Sequence, residues 1–173
     1  NVEFEIRFSQ KEKFSPQGKD SICFMISTNP GEPVRELSKV VSGGELSRIM
    51  LAIKTLLADK DDTETLIFDE IDTGISGRTA QKVAEKMAVI SRNHQIICIT
   101  HLPQIASQAN AHYLIEKNVE EKGTTTRIRG LSYEESVEEL ARMLGGAKIT
   151  EAVLQNAAEM KDLAQQQKNT RLK

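Results

Sequence analysis

The chain has 173 residues, 39% apolar and 28% charged, which fits one globular domain with its own core and excludes a disordered segment. Lys and Arg number 23 against 25 Asp and Glu, a formal charge of −2, which excludes a protein built to coat nucleic acid and leaves only a local basic patch open. Aromatic residues make up 4% and Trp is absent, which speaks against base-stacking platforms.

Val2 to Phe8 alternates, with Val2, Phe4, Ile6 and Phe8 on one side and Glu3, Glu5 and Arg7 on the other. This predicts a half-buried strand. Ser15 to Asp20 reads as a turn and Ile22 to Ser27 as a second strand, so residues 1–30 predict an antiparallel hairpin. The NPGEP run at Asn29 to Pro33 is a break. A helix follows from about Gly43 to Ala58, with Leu46, Ile49, Met50, Ile53 and Leu57 as its core-facing stripe. After an acidic loop, Thr65 to Phe68 is apolar without alternation, as in a strand covered on both faces. It ends in Asp69-Glu70.

Ser76 to about Ile90 predicts a helix that buries Val83, Met87 and Ile90. Gln95 to Thr100 predicts another inner strand, ending at His101, and a short helix runs through Leu102 to Gln108, with Pro103 in its first turn. His112 to Glu116 and Thr124 to Leu131 predict two strands joined by a polar turn at Gly123. Helices over Tyr133 to Leu144 and Thr150 to Gln167 close the chain, separated by Gly145-Gly146, and the polar end from Gln165 to Lys173 is expected to fray. Cys23 and Cys98 lie in apolar runs and read as buried thiols, without zinc-ligand or disulfide spacing. No apolar run reaches the roughly 20 residues of a membrane span, and no segment reads as a signal peptide. The alternation of apolar strands with helices predicts an α/β fold: a mainly parallel central sheet flanked by helices, with antiparallel strands at the edges.

Two inner strands each end in a chemically active group, Asp69-Glu70 and His101. Ligands in open α/β sheets bind at the carboxyl ends of the strands, so these groups are expected on one rim. An acid there can hold Mg²⁺, a hard cation that takes oxygen ligands, and its neighbour can accept a proton from water. The plain alternative is a solvated strand-end turn or a helix cap. His101 read alone is a packed or hydrogen-bonded residue, and Asp72-Thr73-Gly74 read alone is turn chemistry.

Ser42-Gly43-Gly44-Glu45 reads equally as a capping box, with Ser42 as cap and Glu45 at the third position, or as a phosphate site. Two glycines in a first helical turn cost about 1 kcal/mol each relative to Ala. They make sense where an anion approaches bare backbone N–H groups.

In combination, Val41 to Arg48 (VSGGELSR), Leu66 to Asp72 (LIFDEID), Thr73 to Ala80 (TGISGRTA) and Ile99 to Ala106 (ITHLPQIA) resemble the ABC-type ATPase family in order and spacing. Val41 to Arg48 resembles its signature motif, Leu66 to Glu70 its Walker B strand, Asp72 to Ser76 its D-loop and His101 its switch histidine. Within the family the chain resembles the SMC/Rad50 branch, and in detail the C-terminal head segment of a bacterial DNA-repair member. LSKVVSGGELSRIMLAIK, ELARMLGG and the helix beginning ITEAVLQNA carry that likeness, which runs from about Asn29 to Met160.

The resemblance implies the C-terminal lobe of a P-loop ATPase head, and ATP bound and hydrolysed between two heads in double-strand break repair and recombination. In the roles it implies, Asp69 would hold Mg²⁺, Glu70 would orient or deprotonate the attacking water, and His101 would contact the γ-phosphate. Ser42, Gly43, Gly44 and Glu45 would serve the ATP of the opposite head, and Asp72 would couple the two sites. The implied partners are an N-terminal Walker A lobe of the same protein, a second head in a homodimer, and DNA, with no membrane, in the nucleoid-containing cytoplasm of a bacterium. No G-x-x-x-x-G-K-[ST] loop occurs in the sequence. The chain is therefore expected to be one lobe (hairpin 1–30, motif core 37–131, helices 132–168) that lacks Walker A and coiled coil and is inactive alone.

Other readings stay open: another SMC/Rad50-like head, a non-catalytic dimerisation module of the same fold, and a metal-dependent phosphoesterase built on Asp69, Glu70, Asp72 and His101. Arg35, Lys39, Arg48 and Lys54 form a candidate basic strip for DNA, with a solvated face and ion pairs as the plainer reading.

Overall fold

The computed structural model of the chain describes residues 2–27, 31–40, 42–58, 60, 62–120, 123–146 and 148–170. It divides into two compact units, Asn1–Leu46 and Ser47–Lys173.

In the first unit, β1 (Glu3–Ser15) and β2 (Gly18–Ser27) form the expected antiparallel hairpin, longer than the apolar alternation alone marked. Gly18, at φ +91°, takes the left-handed conformation that lets the chain reverse there. A two-residue strand, β3 (Arg35–Glu36), adds to β2, and a single helical turn, α1 (Leu37–Val40), follows. Phe4, Ile6, Phe8, Ile22 and Phe24 lie on one side of the ladder, Phe4 and Phe24 stacked at 5.8 Å between ring centres. The expectation of a half-buried β1 fails: β1 is exposed on both faces for nearly its whole length, because nothing described in this unit forms a second layer over it. The break expected at Asn29 to Pro33 lies partly outside the described residues.

Helix α2 (Gly43–Leu57) starts in the first unit and ends in the second. Its predicted stripe is not its buried face. Leu46, Met50 and Leu57 are exposed, and the residue that enters the core is Leu51.

In the second unit, β4 (Thr65–Phe68) and β5 (Gln95–Cys98) pair in parallel, in the register Thr65 to Gln95 through Phe68 to Cys98. The connecting α3 (Gly77–Ile90) makes the β-α-β crossover. It buries Ala80, Val83, Ala84, Met87 and Ile90, and the last four of these join Leu51, Leu66, Phe68, Ile71 and Ile105 in one core. This is the predicted α/β arrangement, with a parallel part of two strands. The antiparallel strands form sheets of their own instead of edging the parallel pair. The expectation that the Thr65–Phe68 strand is covered on both faces fails as well. Leu66 and Phe68 are buried, but Ile67 is 68% exposed.

Beyond α4 (Pro103–Ala106), β6 (Tyr113–Glu120) and β7 (Gly123–Gly130) form a second hairpin. Helices α5 (Tyr133–Gly145) and α6 (Glu151–Thr170) bury Leu140, Ala141 and Ala157 together with Ala106. Helix α6 stays helical to Thr170, past the point where fraying was expected. Ser132 and Glu135 cap α5 reciprocally, and Gly146 at φ +64° ends it. No described helix is long and apolar enough to cross a membrane. Both cysteines are free, and both are half-buried rather than buried.

Candidate functional site

Parallel pairing makes β4 and β5 end at the same edge, so Asp69-Glu70 and Thr100-His101 leave the sheet on one rim. The connection between the two ends is Asp72. Its carboxylate is buried, and Oδ2 accepts from the Thr100 hydroxyl at 2.6 Å and the His101 backbone N–H at 2.8 Å. Nδ1 of the His101 ring lies 3.0 Å from the same oxygen, while the side chain is 73% exposed. A buried carboxylate needs such donors. The imidazole is held with Nδ1 toward Asp72 and most of its side chain open to solvent. Thr100 also accepts the Leu102 N–H at 3.0 Å, which shapes the entry to α4.

Asp69 and Glu70 are both exposed. Asp69 Oδ1 accepts the N–H of Glu70 at 2.9 Å. Glu70 has φ +56° and is the one non-glycine residue with positive φ among those described. A left-handed residue with a side chain costs about 1–2 kcal/mol, and such conformations persist where the surroundings over-determine them. The Thr73 N–H donates to the Glu70 carbonyl at 3.0 Å and the Ile75 N–H to the Asp72 carbonyl at 3.3 Å. The turn is also gripped from α2. The Ser47 hydroxyl donates to the Asp69 carbonyl at 3.0 Å, and Nη1 of Arg48 donates to the carbonyls of Ile71 at 3.1 Å and Thr73 at 2.8 Å.

At the head of α2, Ser42 and Glu45 form the capping box. The Glu45 N–H donates to Ser42 Oγ at 3.3 Å, and Ser42 N–H donates to Glu45 Oε2 at 3.1 Å. Gly43 is exposed and Gly44 buried. The box engages the Ser42 and Glu45 groups and does not use the Gly43 and Gly44 amides.

As a metal donor, Asp69 offers the exposed carboxylate oxygen that Mg²⁺ prefers. Among the described residues no three His, Cys, Asp or Glu side chains converge to hold a metal ion. Asp69 therefore fits a Mg²⁺ ion whose other ligands are water and phosphate, and it does not fit an all-protein cage. Of the four residues in the phosphoesterase reading, Asp72 spends Oδ2 on Thr100 and His101. Burial, with Asp72 and Asp69 adding to it, pushes the Cys98 thiol up to about 12, so it stays protonated and unreactive. Of the candidate basic strip, Lys39 pairs with Glu36 at 2.7 Å, Lys54 donates to the Thr63 hydroxyl at 3.3 Å and Arg48 is spent on carbonyls.

The sequence did not mark Ser47, Arg48 as a clamp, or Thr100. Their partners lie 22 to 28 positions away, and no local motif reports such pairing.

No family model matches the chain. Over 98% of its length it is 44% identical to the DNA repair protein RecN of Bacillus subtilis, and over 93% it is 48% identical to RecN of Halalkalibacterium halodurans. It spans 31% and 29% of those proteins' lengths. Among solved structures it is similar to an Smc head domain with coiled coil and joint derived from Pyrococcus yayanosii. That match has a TM-score of 0.56 and 22% identity over 79% of this chain and 25% of that one. A chain from a study of ATP-driven dimerization and DNA-stimulated activation of SMC ATPases matches with a TM-score of 0.50 and 20% identity, covering 82% of this chain and 81% of that one. The resemblance read from the motifs thus holds: the sequence is RecN-like nearly throughout, and the fold is that of SMC ATPase heads.

Proposed function

We propose that this RecN-like chain is the C-terminal lobe of an SMC-type ATPase head that works in DNA double-strand break repair and recombination. ATP would be bound and hydrolysed between two heads of a homodimer, and DNA would be the substrate handled. The lobe would comprise the hairpin of residues 1–30, the motif core 37–131 and the helices 132–168. A Walker A loop on an N-terminal lobe of the same protein would complete each site, in the bacterial cytoplasm at the nucleoid.

The observation that carries this reading is the single rim formed by β4 and β5, with Asp69-Glu70 on one strand end and His101, pinned to Asp72, on the other. Mg²⁺ at Asp69 would neutralise charge on the phosphates. Glu70, presented to solvent by its turn, would orient the attacking water and take its proton. With Nδ1 directed at Asp72, the exposed part of the His101 ring would contact a γ-phosphate oxygen. Ser42, Gly43, Gly44 and Glu45 would face the γ-phosphate held by the opposite head, where a helix N-terminus favours an anion. Asp72 would couple the two sites, and by its bonds to Thr100 and His101 it also ties Walker B to the switch histidine within one head. Catalysis of this kind is positioning and charge stabilisation without a covalent intermediate.

The test is Glu70→Gln in the full-length protein, expected to accumulate an ATP-bound dimer with turnover lost. Unchanged turnover would remove Glu70 from the role. The 173-residue chain alone is expected to show little or no ATPase activity, and tight ATP binding with steady turnover by it would overturn the two-lobe account.

A further inference from the structure

We propose that Arg48 is a positioning residue for Glu70, acting through the backbone of the turn that carries it; the proposal rests on Glu70 being the group that orients water. Every carbonyl from Asp69 to Thr73 has a partner. The Asp69 carbonyl takes the Ser47 hydroxyl, Glu70 takes the Thr73 N–H, Ile71 takes Arg48, Asp72 takes the Ile75 N–H, and Thr73 takes Arg48 again. Two of the five thus depend on one side chain, and on one nitrogen of it, at 3.1 and 2.8 Å.

A guanidinium carries its charge at every working pH, so these are charge-assisted bonds of constant strength. They flank Asp72, whose carboxylate holds His101, and follow Glu70, whose φ of +56° the chain would relax if the turn were free. Ile71, fully buried, fixes the floor of the turn. Without Arg48 the floor remains, but the carbonyls of Ile71 and Thr73 lose their donor. The turn then samples other shapes, and the Glu70 carboxylate and the His101 ring lose their fixed separation. Such a change lowers the rate of a bound substrate's reaction more than its binding.

The test uses the full-length protein, comparing Arg48→Met, which keeps the aliphatic stem, with Arg48→Lys, whose ammonium can donate to both carbonyls from one nitrogen. Leu51→Ala serves as the packing control, since it removes a buried apolar side chain of the same helix, which shares the core with Ile71 and can bond none of the turn's carbonyls. ATP turnover and peptide-level hydrogen exchange are read together. Arg48→Met is expected to lower kcat about tenfold with KM for ATP within about twofold. It is also expected to speed exchange across residues 69–75 while leaving α5 and α6 unchanged. Arg48→Lys should recover both readouts. Unchanged exchange across 69–75 in Arg48→Met would overturn the proposal, as would a loss of kcat no greater than that of Leu51→Ala. A wild-type protein without ATP turnover would instead sink the assignment of Glu70, and the exchange readout would still decide whether Arg48 holds the turn.

Discussion

Strand β4 and strand β1 are both rich in apolar residues, and their surroundings differ. In β4, Leu66 and Phe68 pack against α3 and its neighbours, and Phe68 is 5% exposed. In β1, Phe4, Ile6 and Phe8 form a ladder with Ile26, Phe24 and Ile22, yet Phe8 is 68% exposed. Pairing of strands is satisfied by the neighbouring strand alone, whereas burial needs a second layer. The contrast recurs within β4 itself, where Ile67 faces away from α3 and is as open as Phe8. An apolar strand therefore reports that a cover is wanted, and the position of a helix decides which face receives it.

The sharpest way to break this contrast is Phe68→Ala, expected to cost about 3–5 kcal/mol. Urea unfolding would measure it, and a loss under about 1 kcal/mol would mean that the β4–α3 core is not the stabilising one. Next comes Asp72→Ala. It strands the Thr100 hydroxyl and the His101 N–H at the rim and should cost about 2–3 kcal/mol, read in the same way. Retained stability would show that water replaces the carboxylate there.

A smaller effect is expected from pH. Burial, and then Lys161, lowers the pKa of His112 from 6.5, while its Nδ1 meets Ser136 Oγ at 2.7 Å. A depressed folded-state value favours the neutral ring, so this contribution is complete above about 6.5 and is lost as pH falls through the lower folded value. His112→Gln should flatten the stability profile in that window, and an unchanged slope would locate the effect elsewhere. The smallest change belongs to the open hairpin: Phe8→Ser should shift stability by no more than about 0.5 kcal/mol. A loss comparable to that of Phe68→Ala would show that β1 is covered in solution.

Much of the site was legible in the residues. Asp69-Glu70 and His101 ending apolar runs, and Ser42 spaced three positions from Glu45, were visible because short-range patterns encode strand ends and caps. The Asp72 link to Thr100 and His101 was not, because Asp72 looked like an ordinary turn residue and its donors come from the far side of the crossover. Arg48 was read as a surface charge for the same reason. Its partners are backbone carbonyls, which carry no residue signature.

The α2 stripe was misjudged because helical spacing identifies an apolar face without saying which neighbours reach it. Leu51, between Met50 and Ala52, is the residue that meets the core.

By itself the order of residues determined the alternation of strands and helices, the ends at which reactive groups emerge, and the likeness to RecN that runs through nearly the whole chain. The first two follow from backbone periodicity and from local capping and turn chemistry. Only the tertiary structure decided which apolar faces are closed, that a buried Asp72 holds His101, and that Glu70 sits in a left-handed turn with Arg48 beside it. Each of those depends on groups far apart along the chain meeting at hydrogen-bond distance, which no local pattern specifies.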